Sequence, residues 1–359
     1  NALPGLAEAY VDSSPIVVIS DKVEKKFSAD NYKKVFLRSL GTAEFSVTRV
    51  VKNITKYSVT IRNPYDCLYE IQKALYLCKS GRPGPVWVEI PLDVQAFKIK
   101  DIKNLKNFKI KEKKKTKINL SKLIQELNRS KKPLLIIGNG LKQSKTEREF
   151  KKFVKKYKIP FVTSRFALDL CPYSMKENMG LLGIKGTLFG EKLIKECDLV
   201  ISLGCRLAPT LTFGSVSHFT KNKKIFSVNN DKNELNNPLI NIKQKICTDL
   251  DTFFKSVNKH KNKINIKNIE WLNKCINIKN FNPIKDIYKL SYPLNLYQFM
   301  YELCENSSKN HILITDAGSN YYVAGQAWRF EKGQKEIAST TNAAMGLSVP
   351  LSIGAAVAS

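Results

Sequence analysis

Apolar residues in this chain come in short unbroken runs, and the stretches between them carry apolar residues at helical spacing. Val86-Trp87-Val88-Glu89-Ile90 is the clearest run, set between a Gly/Pro turn at 81–85 and Pro91, which lacks a backbone donor and ends a ladder. A strand apolar on nearly every residue belongs in a sheet covered on both faces. Similar runs at Ile16–Ile19, Pro133–Ile137, Ile159–Ser164, Leu199–Leu203, Ile225–Val228 and Ile312–Ile314 predict further strands. Helices are predicted at Leu3–Tyr10, Asp66–Cys78 (with Leu68, Ile71, Leu75 and Leu77 apolar), Thr146–Tyr157, Gly186–Cys197 and Asn295–Glu305. Strand and helix in alternation predict an α/β fold of doubly wound parallel sheets.

Two Lys-rich stretches interrupt the pattern and read as linkers, 101–119 and 259–284, the second with an apolar helix around Ile269–Ile276. They divide the 359 residues into three segments, 1–100, 120–258 and 285–359. The chain starts without Met inside a predicted helix and stops in another, so the first and last segments are expected to be parts of larger domains.

Composition narrows the function classes. The formal charge of +29 raises nucleic acid as a partner, but the lysines are spread through every segment without interleaved aromatics. A solvated lysine surface is the expectation, with attraction of anionic substrates as a secondary effect. No apolar run approaches the ~20 residues of a membrane span, and a cytoplasmic protein is expected. Eight singly placed Cys predict reduced, mostly buried thiols, and three distant His give no metal site.

Order and spacing say more than composition. The run GRPGPVWVEIPLDVQ (81–95) and the run ASTTNAAMGLSVPLSIGAA (338–356) together resemble thiamine-diphosphate enzymes of the acetolactate synthase and pyruvate decarboxylase family. The resemblance implies three consecutive α/β domains: pyrimidine-binding (1–100), central Rossmann-like (120–258) and diphosphate-binding (285–359). It implies decarboxylation of a pyruvate-like 2-oxo acid with carboligation to an acceptor, and a homodimer or dimer of dimers. Lys73–Leu77, Ile90–Gln95, Gly318–Asn320 and Lys332–Gln334 look most like members acting in polysaccharide-sugar pathways, which implies a keto-sugar acceptor.

Site residues follow from the resemblance position by position. Asn1 is expected near the aminopyrimidine, its ordinary alternative being a helix cap. Ala317, Gly318, Ser319 and Asn320, at a strand-to-helix turn, are expected at the diphosphate, since a helix N-terminus offers free N–H groups and positive potential. Met345 is expected beneath the coenzyme, holding it bent, with Ala343 beside it; core filler is the alternative for a Met. The family's catalytic Glu is expected before Asn1 and its Mg2+ ligands beyond Ser359.

In the middle segment, Gly138-Asn139-Gly140, Gly183–Thr187, Gly204-Cys205-Arg206 and Asn229-Asn230-Asp231 correspond to the pieces that bind FAD or an ADP group in some relatives. No full G-x-G-x-x-G occurs, and a structural central domain without flavin is favoured. Two other readings stay open: a nucleotide-binding Rossmann oxidoreductase, and an inactive scaffold or regulatory subunit. The second is motivated by Ala43, Ala343 and Ser348, where the family usually carries Gln, Gly and Gly.

Overall fold

A computed structural model describes residues 1–32, 34–35, 37–42, 44–110, 117–266, 268–280, 295–339 and 341–359. Ala43, one of the residues behind the scaffold reading, lies outside them, as do residues 281–294, the first four of which belong to the second expected linker. The chain forms two compact units, one of Asn1–Lys114 with Ser339–Ala344, the other of Lys115–Ala338 with Met345–Ser359.

In the first unit, β1 (Val17–Lys22), β2 (Tyr57–Thr60) and β3 (Val86–Pro91) form a parallel sheet in the order β1-β3-β2. The expected apolar strand is therefore central, and its period of two divides the core. Val86 and Val88 pack with Ile61, Ala74 and Cys78, while Trp87 packs on the opposite face with Leu6 and Val51. Leu6 comes from α1 (Leu3–Asp12), and Ala74 and Cys78 come from α2 (Cys67–Lys79). The buried stripe of α2 differs from expectation: Leu75 is exposed, and the small Ala74 and Cys78 face the sheet, which lets the helix approach the strands closely. The first expected linker also begins as packed structure, because Phe108 inserts its ring against Tyr69 and Tyr76 of α2.

In the second unit, β4 (Pro133–Ile137), β5 (Phe161–Thr163), β6 (Asn178–Leu181), β7 (Leu199–Leu203), β8 (Lys224–Asn229) and β9 (Gln244–Cys247) form a parallel sheet in the order β6-β5-β4-β7-β8-β9. Both faces are covered: Leu135 and Ile137 belong to one core cluster, Leu134 and Ile136 to the other. The first cluster takes Leu123, Phe150 and Phe253 from α3 (Ser121–Arg129), α4 (Glu147–Tyr157) and α6 (Leu250–Lys259). The second takes Leu193 from α5 (Leu188–Glu196) and Trp271, Leu272 and Cys275 from α7 (Ile269–Asn280). The helix expected within a linker is thus part of the central core, and Trp271 donates its indole N–H to the Pro133 carbonyl at 3.0 Å.

The same unit ends in a parallel pair, β10 (Ile312–Thr315) and β11 (Lys335–Ala338), with α8 (Leu296–Glu305), α9 (Ser319–Ala327) and α10 (Ser348–Ala358). Met300, Val323, Ala324 and Trp328 pack there with Leu168 and Leu181. All eight Cys are free; Cys67 is half-buried, Cys247 exposed and the other six buried, and burial pushes the Cys171, Cys197 and Cys205 thiols up to about 12.

Candidate functional site

Strand β10 runs into Asp316-Ala317-Gly318 and directly into α9, so a helix N-terminus stands at the carboxyl end of a parallel strand. Gly318 is the N-cap, with φ 115° and ψ −158°, a conformation that only glycine adopts without strain. A Cβ placed on it would meet nothing within 4 Å, so the space beside Gly318 is open among the described residues. Asn320 turns its side-chain oxygen back to the Tyr321 N–H at 2.6 Å. The amides of Gly318, Ser319 and Asn320 have no acceptor among the described residues, and all three residues are exposed. Three unpaired N–H donors at the positive end of a helix, with open space above, form a donor set that fits a diphosphate.

The carboxylate of Asp316 holds the base of this turn. It accepts from the Ala317 N–H at 2.7 Å, from the Gly346 N–H at 3.1 Å, and from the Ser348 N–H and hydroxyl at 3.1 and 2.7 Å. The Ser348 hydroxyl and N–H, then the Ala317 and Gly346 amides, hold its carboxyl below the ordinary carboxylate value. Ser348 is the first residue of α10, so Asp316 supplies from outside the acceptor that the N-cap position, Leu347, cannot. Met345 precedes this turn and is 91% exposed. Within this chain, then, its side chain does not fill a core. Along α10, Val349, Ile353 and Val357 are also exposed.

Behind α9 lies a buried charged cluster that sequence reading did not single out. Arg165, its side chain only 10% exposed, pairs with Glu336 of β11, and its guanidinium lies 4.2 Å from the Tyr321 ring centroid. Lys142 pairs with Asp169, whose other oxygen accepts from the Glu336 N–H at 3.1 Å. Burial pushes the Glu336 carboxyl up to about 7, against the pull of Arg165. Among the described residues Nε and Nη1 of Arg165 are buried without a hydrogen-bond partner, and Nη1 lies against Gly325, where a Cβ would displace it. The signal in the sequence is faint: four charged residues spread from 142 to 336 meet only through folding.

The first unit has its own buried cluster at the carboxyl ends of its strands. Lys22 lies between Asp30 and Glu89 at 3.1 and 3.3 Å, and Thr60 donates to Glu89 at 2.7 Å. Burial raises the Asp30 carboxyl, but Lys22, with Ser46 and Arg49, brings it net below its ordinary value. Asn1 and Ala343 both belong to this unit, and both are exposed. Asn1 does not cap α1: the N-cap is Ala2, with no side-chain bond. Ala343 adopts φ 52°, the left-handed region that favours glycine, at a position where the resembled family commonly carries Gly. Ala317, Gly318, Ser319, Asn320 and Met345 all belong to the second unit.

The central glycines have a structural explanation. Gly138 and Gly140 face Gly204 across the ends of β4 and β7, where a Cβ on Gly138 would come within 2.3 Å of the Gly204 carbonyl. Gly140 donates to that same carbonyl at 3.0 Å. Close backbone packing therefore accounts for these glycines without a nucleotide. Among the described residues no group of three or more His, Cys, Asp or Glu could hold a metal ion, and no helix is long and apolar enough to cross a membrane.

Comparison with known proteins adds the following. Residues 120–257 match the family model for the thiamine pyrophosphate enzyme central domain. The chain is similar to the acetolactate synthase large subunit of Lactococcus lactis subsp. lactis, 27% identical over 363 residues covering all of this chain and 60% of that protein. It is also similar to acetolactate synthase 2, chloroplastic, of Nicotiana tabacum, 26% identical over 381 residues covering 99% of this chain and 53% of that protein. The acetolactate synthase large subunit of Porphyra purpurea is 31% identical over 251 residues, 66% of this chain and 39% of that protein. The chain spans 60% and 53% of the length of the first two.

Proposed function

We propose that this chain, which belongs to the thiamine pyrophosphate enzymes related to acetolactate synthase large subunits, is the core of an enzyme that decarboxylates a 2-oxo acid and joins the remaining fragment to an acceptor. The observation that carries the reading is the start of α9. Unpaired amides at Gly318, Ser319 and Asn320 open onto free space, and the exposed Met345 lies on a turn bonded to the same loop.

When bound, thiamine diphosphate supplies the nucleophilic carbon and the electron sink that loss of CO2 requires. The chain's own residues bind and orient. The amides of Gly318, Ser319 and Asn320, with the Ser319 hydroxyl, receive the diphosphate, and Ala317 leaves room beside it. The Met345 side chain, 91% exposed in this chain, would provide apolar support beneath the coenzyme. Asn1 and Ala343 are assigned to the aminopyrimidine end. Mg2+ is assigned to the diphosphate with ligands outside the described residues.

The donor is a pyruvate-like acid, the acceptor a second 2-oxo acid or a keto-sugar, and the assembly a homodimer or a dimer of dimers in the cytoplasm. The three-domain division belongs to the same proposal, with the helix Ile269–Asn280 counted in the central domain rather than in the linker expected at 259–284. FAD is not assigned to the central domain, because packing already explains its glycines.

Titration of the full-length protein with thiamine diphosphate and Mg2+, followed by product analysis with pyruvate and candidate acceptors, tests the reading. Saturable binding and acceptor-dependent carboligation are expected; reducible flavin or nicotinamide retained without thiamine diphosphate would overturn it. Met345→Ala is expected to weaken coenzyme activation at least ~10-fold, about 1.4 kcal/mol, with the melting temperature of the coenzyme-free protein nearly unchanged. Unchanged turnover at limiting coenzyme would mean that Met345 has no part in the site.

A further inference from the structure

We infer that Asp316 is a positioning residue which, together with Ser348, sets the place of Met345 relative to the α9 N-terminus, and so holds the two coenzyme contacts of this unit in register. The inference rests on the coenzyme reading above and deepens it.

Met345 is 91% exposed, so no side-chain packing orients it. A flexible thioether chain so little covered by the described residues is aimed here by its backbone. That backbone turns immediately afterwards at Gly346, with φ 81°, and enters α10 at Ser348. Among the described residues, the hydrogen bonds of this turn beyond α10 itself go to one carboxylate: Oδ1 of Asp316 accepts from Gly346, and Oδ2 accepts from the Ser348 amide and hydroxyl. Oδ1 also accepts from Ala317, the residue before the Gly318 cap. One rigid, charged group therefore ties the loop that opens α9 to the turn that carries Met345. Bonds to an ionised acceptor are about twice as strong as neutral ones, which suits a strut between two exposed loops.

Ser348 contributes two of these bonds. Its amide would reach Asp316 whatever the side chain, but its hydroxyl adds the 2.7 Å bond. A residue without that hydroxyl leaves the turn held by backbone donors alone.

The test uses full-length protein in three forms: wild type, Asp316→Asn and Ser348→Ala. Two readouts are taken, amide hydrogen exchange over residues 344–350 without coenzyme, and calorimetric titration with thiamine diphosphate in MgCl2. Asp316→Asn is expected to speed exchange at Gly346 and Ser348 at least ~10-fold, with β10 unaffected, and to weaken coenzyme binding about 10-fold. The KM for the 2-oxo acid at saturating coenzyme should stay unchanged. Ser348→Ala should give a smaller loss of the same kind, and it reads the strut even if Asp316→Asn folds poorly. Faster exchange with unchanged coenzyme affinity would overturn the positioning role, as would unchanged exchange in both variants. Wild-type protein that binds no thiamine diphosphate would overturn the coenzyme reading itself and the inference with it, whereas failure in the variants alone overturns only the inference.

Discussion

Glu336 shows how a single burial can write itself into the pH dependence of stability. Its carboxyl is raised to about 7 from an ordinary 4.5, chiefly by burial, so the folded state holds a proton that the unfolded chain releases. Between those values the native state binds more protons, and the group's contribution to stability falls as pH rises, by on the order of 3 kcal/mol across the window. Urea unfolding at pH 5 and pH 7.5 should therefore show a stability loss in wild type that is reduced in Glu336→Gln; parallel losses would rule the shift out. Gly138 makes the complementary point about space. A methyl added there meets backbone, 2.3 Å from the Gly204 carbonyl and 2.5 Å from the Cys205 Cα. Gly138→Ala is expected to destabilise the central domain by roughly 1–3 kcal/mol in chemical denaturation, since β4 and β7 must part to admit it. An unaltered midpoint would show that the contact yields freely.

At the scale of elements, the strands were legible and the helix partners less so. Val86–Ile90 and Leu199–Leu203 are apolar on nearly every residue, and each lies inside a parallel sheet covered on both faces. Strands β2, β6, β9 and β11 were not foreseen, because Tyr57–Thr60 and Lys335–Ala338 mix polar and apolar residues and gain their pairing from a stronger neighbour. The sequence predicts an apolar helix around Ile269–Ile276 but places it in a linker, since its flanks are rich in Lys and Asn. Its role comes from Trp271, which is 4% exposed within the central core and bonded to Pro133. Trp271→Ala should cost ~3–5 kcal/mol, the usual range for emptying a large aromatic site. A midpoint within error of wild type would return the helix to the linker.

Across the whole molecule, the excess of 60 Lys and Arg over 31 Asp and Glu has little to do with the site. Pairs such as Lys255 with Asp251 are exposed and contribute little to stability. The charge should instead appear as weak, sequence-independent affinity for polyanions. Binding to a DNA duplex is expected at low salt and should vanish by roughly 0.2 M, as counterion release requires. Retained, sequence-selective binding at that salt would reopen a nucleic-acid role. The candidate site itself was partly legible: the strand-to-helix turn at Ala317–Asn320 and the Met345 run could be placed by order and type. Asp316, Arg165 and Glu336 could not, because each has its meaning only through a residue at least 30 positions away, respectively Ser348, Glu336 and Arg165.

By itself the sequence determined what is local: which runs are strands, where Gly318 lets the chain turn into a helix, and which family's order of motifs the chain follows. Periodicity, backbone freedom and residue type are properties of neighbours along the chain, so they can be read before folding. The tertiary structure decided which charges meet and which side chains are left outside. Desolvation and hydrogen bonding depend on distances between segments far apart in the chain, and these set the raised carboxyl of Glu336, the exposed Met345 and the four bonds gathered by Asp316.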